Sequence, residues 1–147
     1  MADPSDVFAV SMDSPNRVRT SSVTVSISPG ELLDKITILE IKAERISNPE
    51  KLRHVRAELA ELAEARERSI FERDELGALT AELRAVNEAL WDIEDQIRLC
   101  ERDGDFGPAF VDLARSVYRN NDHRAVIKRK INDLLGSRIV EEKSYAG

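Results

Sequence analysis

Leu76, Leu83, Leu90 and Ile97 recur every seven residues, and Leu79, Val86, Ile93 and Cys100 fill the positions between them. This a/d seam runs through more than three heptads, so the segment must form a long helix that buries one stripe against another helix. The partner helix can belong to the same chain, as in a hairpin, or to a second copy, as in a homodimeric coiled coil. Leu52, Val55, Leu59 and Leu62 form a matching stripe that ends shortly before the seam begins. The expectation is therefore an all-α helical bundle containing a long antiparallel hairpin, with these two helices as its arms.

The flanking segments are also helical in pattern. Ser28-Pro29-Gly30-Glu31 is a helix start: Ser28 can cap, Pro29 suits the first helical position, and Glu31 can complete a capping box. Leu32, Ile36, Leu39, Ala43 and Ile46 follow as one stripe, while Leu33, Ile38 and Ile41 lie off it. A helix apolar on more than one side belongs at the centre of a bundle. Asn48-Pro49-Glu50 breaks the chain and restarts it, and a bend is expected around residues 69–74. Asp103 to Pro108 ends the heptad helix and begins a fourth, lined by Phe110, Leu113, Ala114 and Val117 and later by Ile127, Ile131, Leu134 and Leu135. Asn120-Asn121-Asp122 predicts a kink or restart there, because such side chains compete for backbone hydrogen bonds. Val23 to Ile27 alternates as a short strand would, and residues 138–142 offer a second strand to pair with it. Residues 1–21 are polar and aperiodic, which reads as a flexible tail ahead of a single helical domain over residues 22–147.

Composition narrows the function classes. Aromatic residues are only 5%, which argues against an aromatic-lined pocket, and Cys100 is the sole cysteine, which rules out an internal disulfide or a multi-thiolate zinc site. The start has no signal-peptide pattern and no 18 apolar residues run together, so a cytoplasmic protein without a membrane partner is expected. A net charge of −6 argues against nucleic acid as a partner. The charge is unevenly spread: from Pro108 onward there are 8 Lys/Arg against 5 Asp/Glu, leaving 14 against 23 before it, from totals of 22 and 28.

That basic surplus is the main candidate for chemistry. Arg119, His123, Arg124 and Lys128 lie in one segment, residues 115–130, with Arg119/His123 and Arg124/Lys128 each four apart and able to share a face. Guanidinium groups fork onto carboxylate or phosphate, and an anionic metabolite such as a phosphosugar or nucleotide sugar would suit such a face. The competing reading is that these side chains solvate the helix and pair with the acidic helices before it. Asp34 and Lys35, with Glu40 and Lys42, are charges within the most apolar helix, so they read either as a secondary site or as ion pairs and snorkelling stems. Glu50, His54 and Glu58 have metal-ligand spacing but lack the Glu-x-x-His motifs of a dimetal bundle, so no metal or other cofactor is expected. Cys100 reads as a core residue and Trp91 as a flank of the core.

Two stretches together resemble a known family. One runs from Ser28 to Lys42, and the other runs from Val117 to Arg124, continues through Lys128 to Asn132, and ends at Glu141 to Tyr145. The combination resembles an uncharacterised bacterial family of helical proteins, a domain of unknown function, over roughly residues 23–146. The resemblance implies one folded unit and a link to surface-polysaccharide metabolism, and brings no catalytic residue with it. The functional expectation is a non-catalytic interaction or scaffold protein with an unidentified protein partner. The alternative is an enzyme or binding protein for an anionic small molecule, using the basic helix.

Overall fold

The computed structural model describes residues 21–146 as four helices: α1 (Pro29–Arg45), α2 (Pro49–Ser69), α3 (Asp74–Asp103) and α4 (Pro108–Leu134). Apart from residue 21, the expected N-terminal tail lies outside the described residues. Local chemistry sets each start. Ser28 Oγ accepts from the Glu31 amide at 3.1 Å, Asn48 Oδ1 accepts from the Lys51 amide at 3.1 Å, and prolines stand at the first turns of α1, α2 and α4. Glu31 does not complete the capping box with its side chain, which is committed to Lys128 on α4. Gly104 ends α3 in the left-handed region at φ 66°, where an L side chain is strained.

α1 is central, as its all-round apolar pattern requires. Leu32, Leu33, Ile36, Leu39 and Ile41 are all buried, and α1 packs against each of the other three helices. α3 and α4 pack on each other as the long antiparallel hairpin. The expected pairing of the arms is corrected here: α2 packs along α1, and no contact of that kind joins α2 to α3 among the described residues. Both α2 and α4 offer a stripe to α3, and stripes carry no address. Gly104 to Gly107 turns α4 straight back along α3, where Ile127 and Ile131 become fully buried, whereas Val55 alone is buried on α2.

Two further expectations are corrected. α4 runs unbroken through Asn120-Asn121-Asp122 because their side chains find partners that helical geometry allows. Asn121 accepts from Arg124, Asp122 pairs with Lys143 at 2.6 Å, and Asn120 bonds the Ser116 carbonyl one turn back. Residues 23–27 and 138–142 form no strands, and no sheet exists among the described residues. Val23 and Val25 are 79% and 69% exposed, so their alternation has no apolar surface to cover. The two segments meet instead through side chains, Ser28 with Glu141.

Candidate functional site

The fold assembles a polar network where α1, α3, α4 and the C-terminal segment converge. Asp34, on the central helix, is 1% exposed. Its Oδ1 accepts from Asn87 Nδ2 of α3 at 2.9 Å and from Arg124 Nε of α4 at 2.9 Å, while Arg124 Nη2 bonds Oδ2. Asn87 also donates to Thr37 Oγ1 at 2.9 Å, and Thr37 donates to the Asp34 carbonyl at 2.8 Å. A carboxylate buried this deeply requires pairing on this scale, and the forked Arg124 contact supplies it. The hydrogen bonds that Arg124 donates to Asp34 hold its guanidinium above the ordinary pKa against the opposing effect of burial.

One turn further along α4, Lys128 Nζ lies 2.6 Å from Glu31 Oε2 and 3.0 Å from Glu141 Oε2, with its side chain only 14% exposed. Burial pushes the ammonium down, but the bonds to Glu31 and Glu141 outweigh it and leave its pKa raised. Glu31 is the reciprocal case: burial raises its pKa, Lys128 lowers it further, and the net shift is downward. The other Glu141 oxygen accepts from Ser28 Oγ at 3.0 Å. The Gly30 amide donates to Asn132 Oδ1 at 2.7 Å, and a Cβ on Gly30 would sit 2.6 Å from the Lys128 carbonyl oxygen. Glycine at residue 30 is thus what lets α1 approach α4 closely enough to form the network.

Beside the network, α4 and the C-terminal segment enclose a cleft of about 740 Å³. Arg124 and Lys128 lie in its wall with Asn121, Tyr118, Lys143 and Tyr145. Among the six candidates singled out from sequence, Arg124 and Lys128 face this cleft and Asp34 stands behind Arg124. Arg119 is not part of the cleft wall and lies 5.9 Å from the Tyr118 ring. Hydrogen bonds from Arg119 and then Arg115 draw the Tyr118 phenol below its ordinary pKa. His123 faces α3, 3.9 Å from Glu82, and Lys35 reaches 3.6 Å from Glu31 with half its side chain in solvent. The structure therefore divides the basic helix: Arg124 and Lys128 belong to one site, and His123 does not.

Other charges have separate explanations. Glu40 pairs with Arg84 at 2.8 Å, and the same guanidinium holds Glu44 and Glu88. Glu50 bonds Arg53 at 2.6 Å, and no group of three metal-ligating side chains occurs among the described residues. Sequence reasoning missed Ser28 as a ligand of Glu141, and it gave Thr37, Asn87, Asn121, Asn132 and Glu141 no role in a site. The available signal was Asn87, a neutral polar residue flanking the seam between Leu83 and Leu90, where an apolar contact would be usual.

Residues 23–147 match the model of the family described as "Family of unknown function (DUF6165)". The chain belongs to that family. No curated protein and no solved structure matches it. The DUF6165 match spans every residue of the network, from Ser28 to Glu141, and the two stretches that carried the resemblance are the ones the fold brings face to face. No helix among the described residues is long and apolar enough to cross a membrane.

Proposed function

We propose that this protein binds a small phosphate- or carboxylate-bearing metabolite in the cleft between α4 and the C-terminal segment. The observation that carries the reading is the placement of two partly buried cations, Arg124 and Lys128, in the wall of a 740 Å³ cleft. Ligand sites commonly have volumes of about 300–1,000 Å³ and a few convergent polar groups. Tyr118 and Tyr145 add ring surface, which suits a phosphosugar or nucleotide sugar better than a bare ion. The reading is one of binding rather than catalysis, since His54, His123 and Cys100 all lie away from the cleft wall. The test is a thermal-shift panel of anionic metabolites on the wild type and on a Lys143→Ala/Tyr145→Ala variant. A ligand at a hundred times its Kd adds about 2.7 kcal/mol, which raises Tm by several degrees in a domain this size. A shift that is present in the wild type and lost in the variant supports the cleft, and flat curves throughout reject it.

A second reading, an interaction protein, is favoured by the far end of the hairpin. Leu99, Phe106 and Val111 are 46%, 54% and 48% exposed there, and Phe106 packs edge-on against Phe110 at 5.3 Å. The partner in this reading is another protein or a second copy in a homodimer. Sedimentation over a range of concentrations tests the homodimer, which predicts association that Leu99→Lys abolishes.

A further inference from the structure

The occupant of the Lys128 site is itself informative. Glu141 presents one oxygen to Ser28 Oγ and the other to Lys128 Nζ, each at 3.0 Å. Two donors from different helices thus grip one carboxylate by both oxygens, as a receptor for an oxyanion would. The donors are held in place: Ser28 is 1% exposed and caps α1, and Lys128 is braced by Glu31. The occupant is not. Glu141 lies in a segment without regular structure, beside a 54%-exposed Val140, and Tyr145 beyond it is 77% exposed. The segment's other ties to α4 are also ionic, Lys143 to Asp122 at 2.6 Å and Glu142 to Arg129 at 3.8 Å, while Ile139 at its start is hydrogen-bonded to Ser137.

We infer that Ser28 and Lys128 form a receptor for a carboxylate or phosphate group, that Glu141 fills it in the closed chain, and that a ligand's anionic group enters by displacing Glu141 and freeing residues 139–146. The inference rests on the cleft reading above, because Lys128 belongs to both.

Charge decides why entry is an exchange rather than an addition. Lys128 already has Glu31 at 2.6 Å; Lys35 lies 3.6 Å from Glu31, and Arg124, which also feels Glu31 and Glu141, is already paired with Asp34. A third anion beside Glu31 and Glu141 would be repelled, whereas replacing Glu141 by a carboxylate leaves the local charge unchanged and replacing it by a phosphate adds only the difference between the two groups. A side chain on a short tether competes at an effective concentration of the order of millimolar. A ligand must exceed that, so it needs contacts in the cleft beyond the anionic group itself.

The experiment uses the full chain with three sequences: wild type, Glu141→Ala, and Glu142→Ala as a control that removes the same charge one residue away. Backbone ¹⁵N relaxation reads the order of residues 139–146, and a titration with inorganic pyrophosphate reads the receptor. In the wild type the segment should approach the rigid value of about 0.85, and in Glu141→Ala it should fall below about 0.6 while the helices stay unchanged. Removing the internal competitor should tighten pyrophosphate binding by about tenfold in Glu141→Ala, with Glu142→Ala like the wild type. Equal order in wild type and Glu141→Ala overturns the inference, and so does pyrophosphate binding that is absent or equal in the two. The cleft reading fails separately, when no member of the metabolite panel shifts Tm.

Discussion

The two ends of the α3–α4 hairpin carry the same heptad seam and have different fates. Near α1, Leu76 and Leu83 are fully buried and Val86 is 6% exposed. Beyond it, from Ile93 to Val117, no residue is fully buried, although Ile97 and Cys100 hold the same seam positions. The cause is length. α3 has 30 residues and spans about 45 Å, while α1 has 17 and spans about 25 Å. Two helices alone half-cover a seam, and a third is needed to close it. The seam pattern thus says that a residue faces a neighbouring helix, and tertiary structure says how much water remains. The near end is also where the charged network is buried, because three helices exclude water there.

Substitutions can break this comparison, and the largest effect is expected at the network. Asp34→Ala leaves the half-buried Arg124 without its partner and should cost about 3–5 kcal/mol, measured by chemical denaturation. A loss below about 1 kcal/mol would mean the network is dispensable for folding. Next comes the seam itself. Leu83→Ala opens a cavity in a closed core and should cost about 3 kcal/mol, whereas Ile97→Ala at the far end should cost about 1. Equal losses would remove the distinction between the two ends. Gly30→Ala forces a Cβ against the Lys128 carbonyl oxygen, a backbone atom that cannot swing aside, and should cost about 1–3 kcal/mol.

The smallest effect is in pH dependence. The pKa of Glu31 is below its ordinary value of 4.5, so its contribution is complete above that value and is lost as pH falls through the lowered one. The pKa of Lys128 is above its ordinary 10.5, so its contribution is complete below that value and is lost as pH rises through the raised one. Thermal melts across both windows should show a fall at each end for the wild type, and Lys128→Met should flatten both. A variant as pH-sensitive as the wild type would show that the Glu31–Lys128 pair contributes nothing to the closed end.

Much of the helical framework was legible beforehand, and the reason is local. The starts at Ser28-Pro29 and Asn48-Pro49, the stop at Gly104 and the central rank of α1 depend on neighbours within a few residues. The kink at Asn120 to Asp122 and the strands at 23–27 and 138–142 were read from equally local signals and did not form. Asn120 and Asn121 bonded within the helix, to the Ser116 carbonyl and to Arg124, Lys143 took up Asp122, and no second strand came alongside Val23 to Ile27. Of the site, Arg124, Lys128 and Asp34 were visible as charges in unusual places. Their pairing was not, since Asp34 and Arg124 are 90 residues apart in the chain.

By itself, the sequence determined where the four described helices begin and which of their faces are apolar, because helix spacing and capping operate within one or two turns. The tertiary structure alone decided that α3 takes α4 rather than α2 as its partner, that Arg124 turns inward to Asp34, and that Glu141 rests on Lys128. Those choices depend on how rigid helices are rotated and offset against one another. A shift of one residue along α4 turns its face by about 100°, enough to exchange a buried ion pair for a solvated charge.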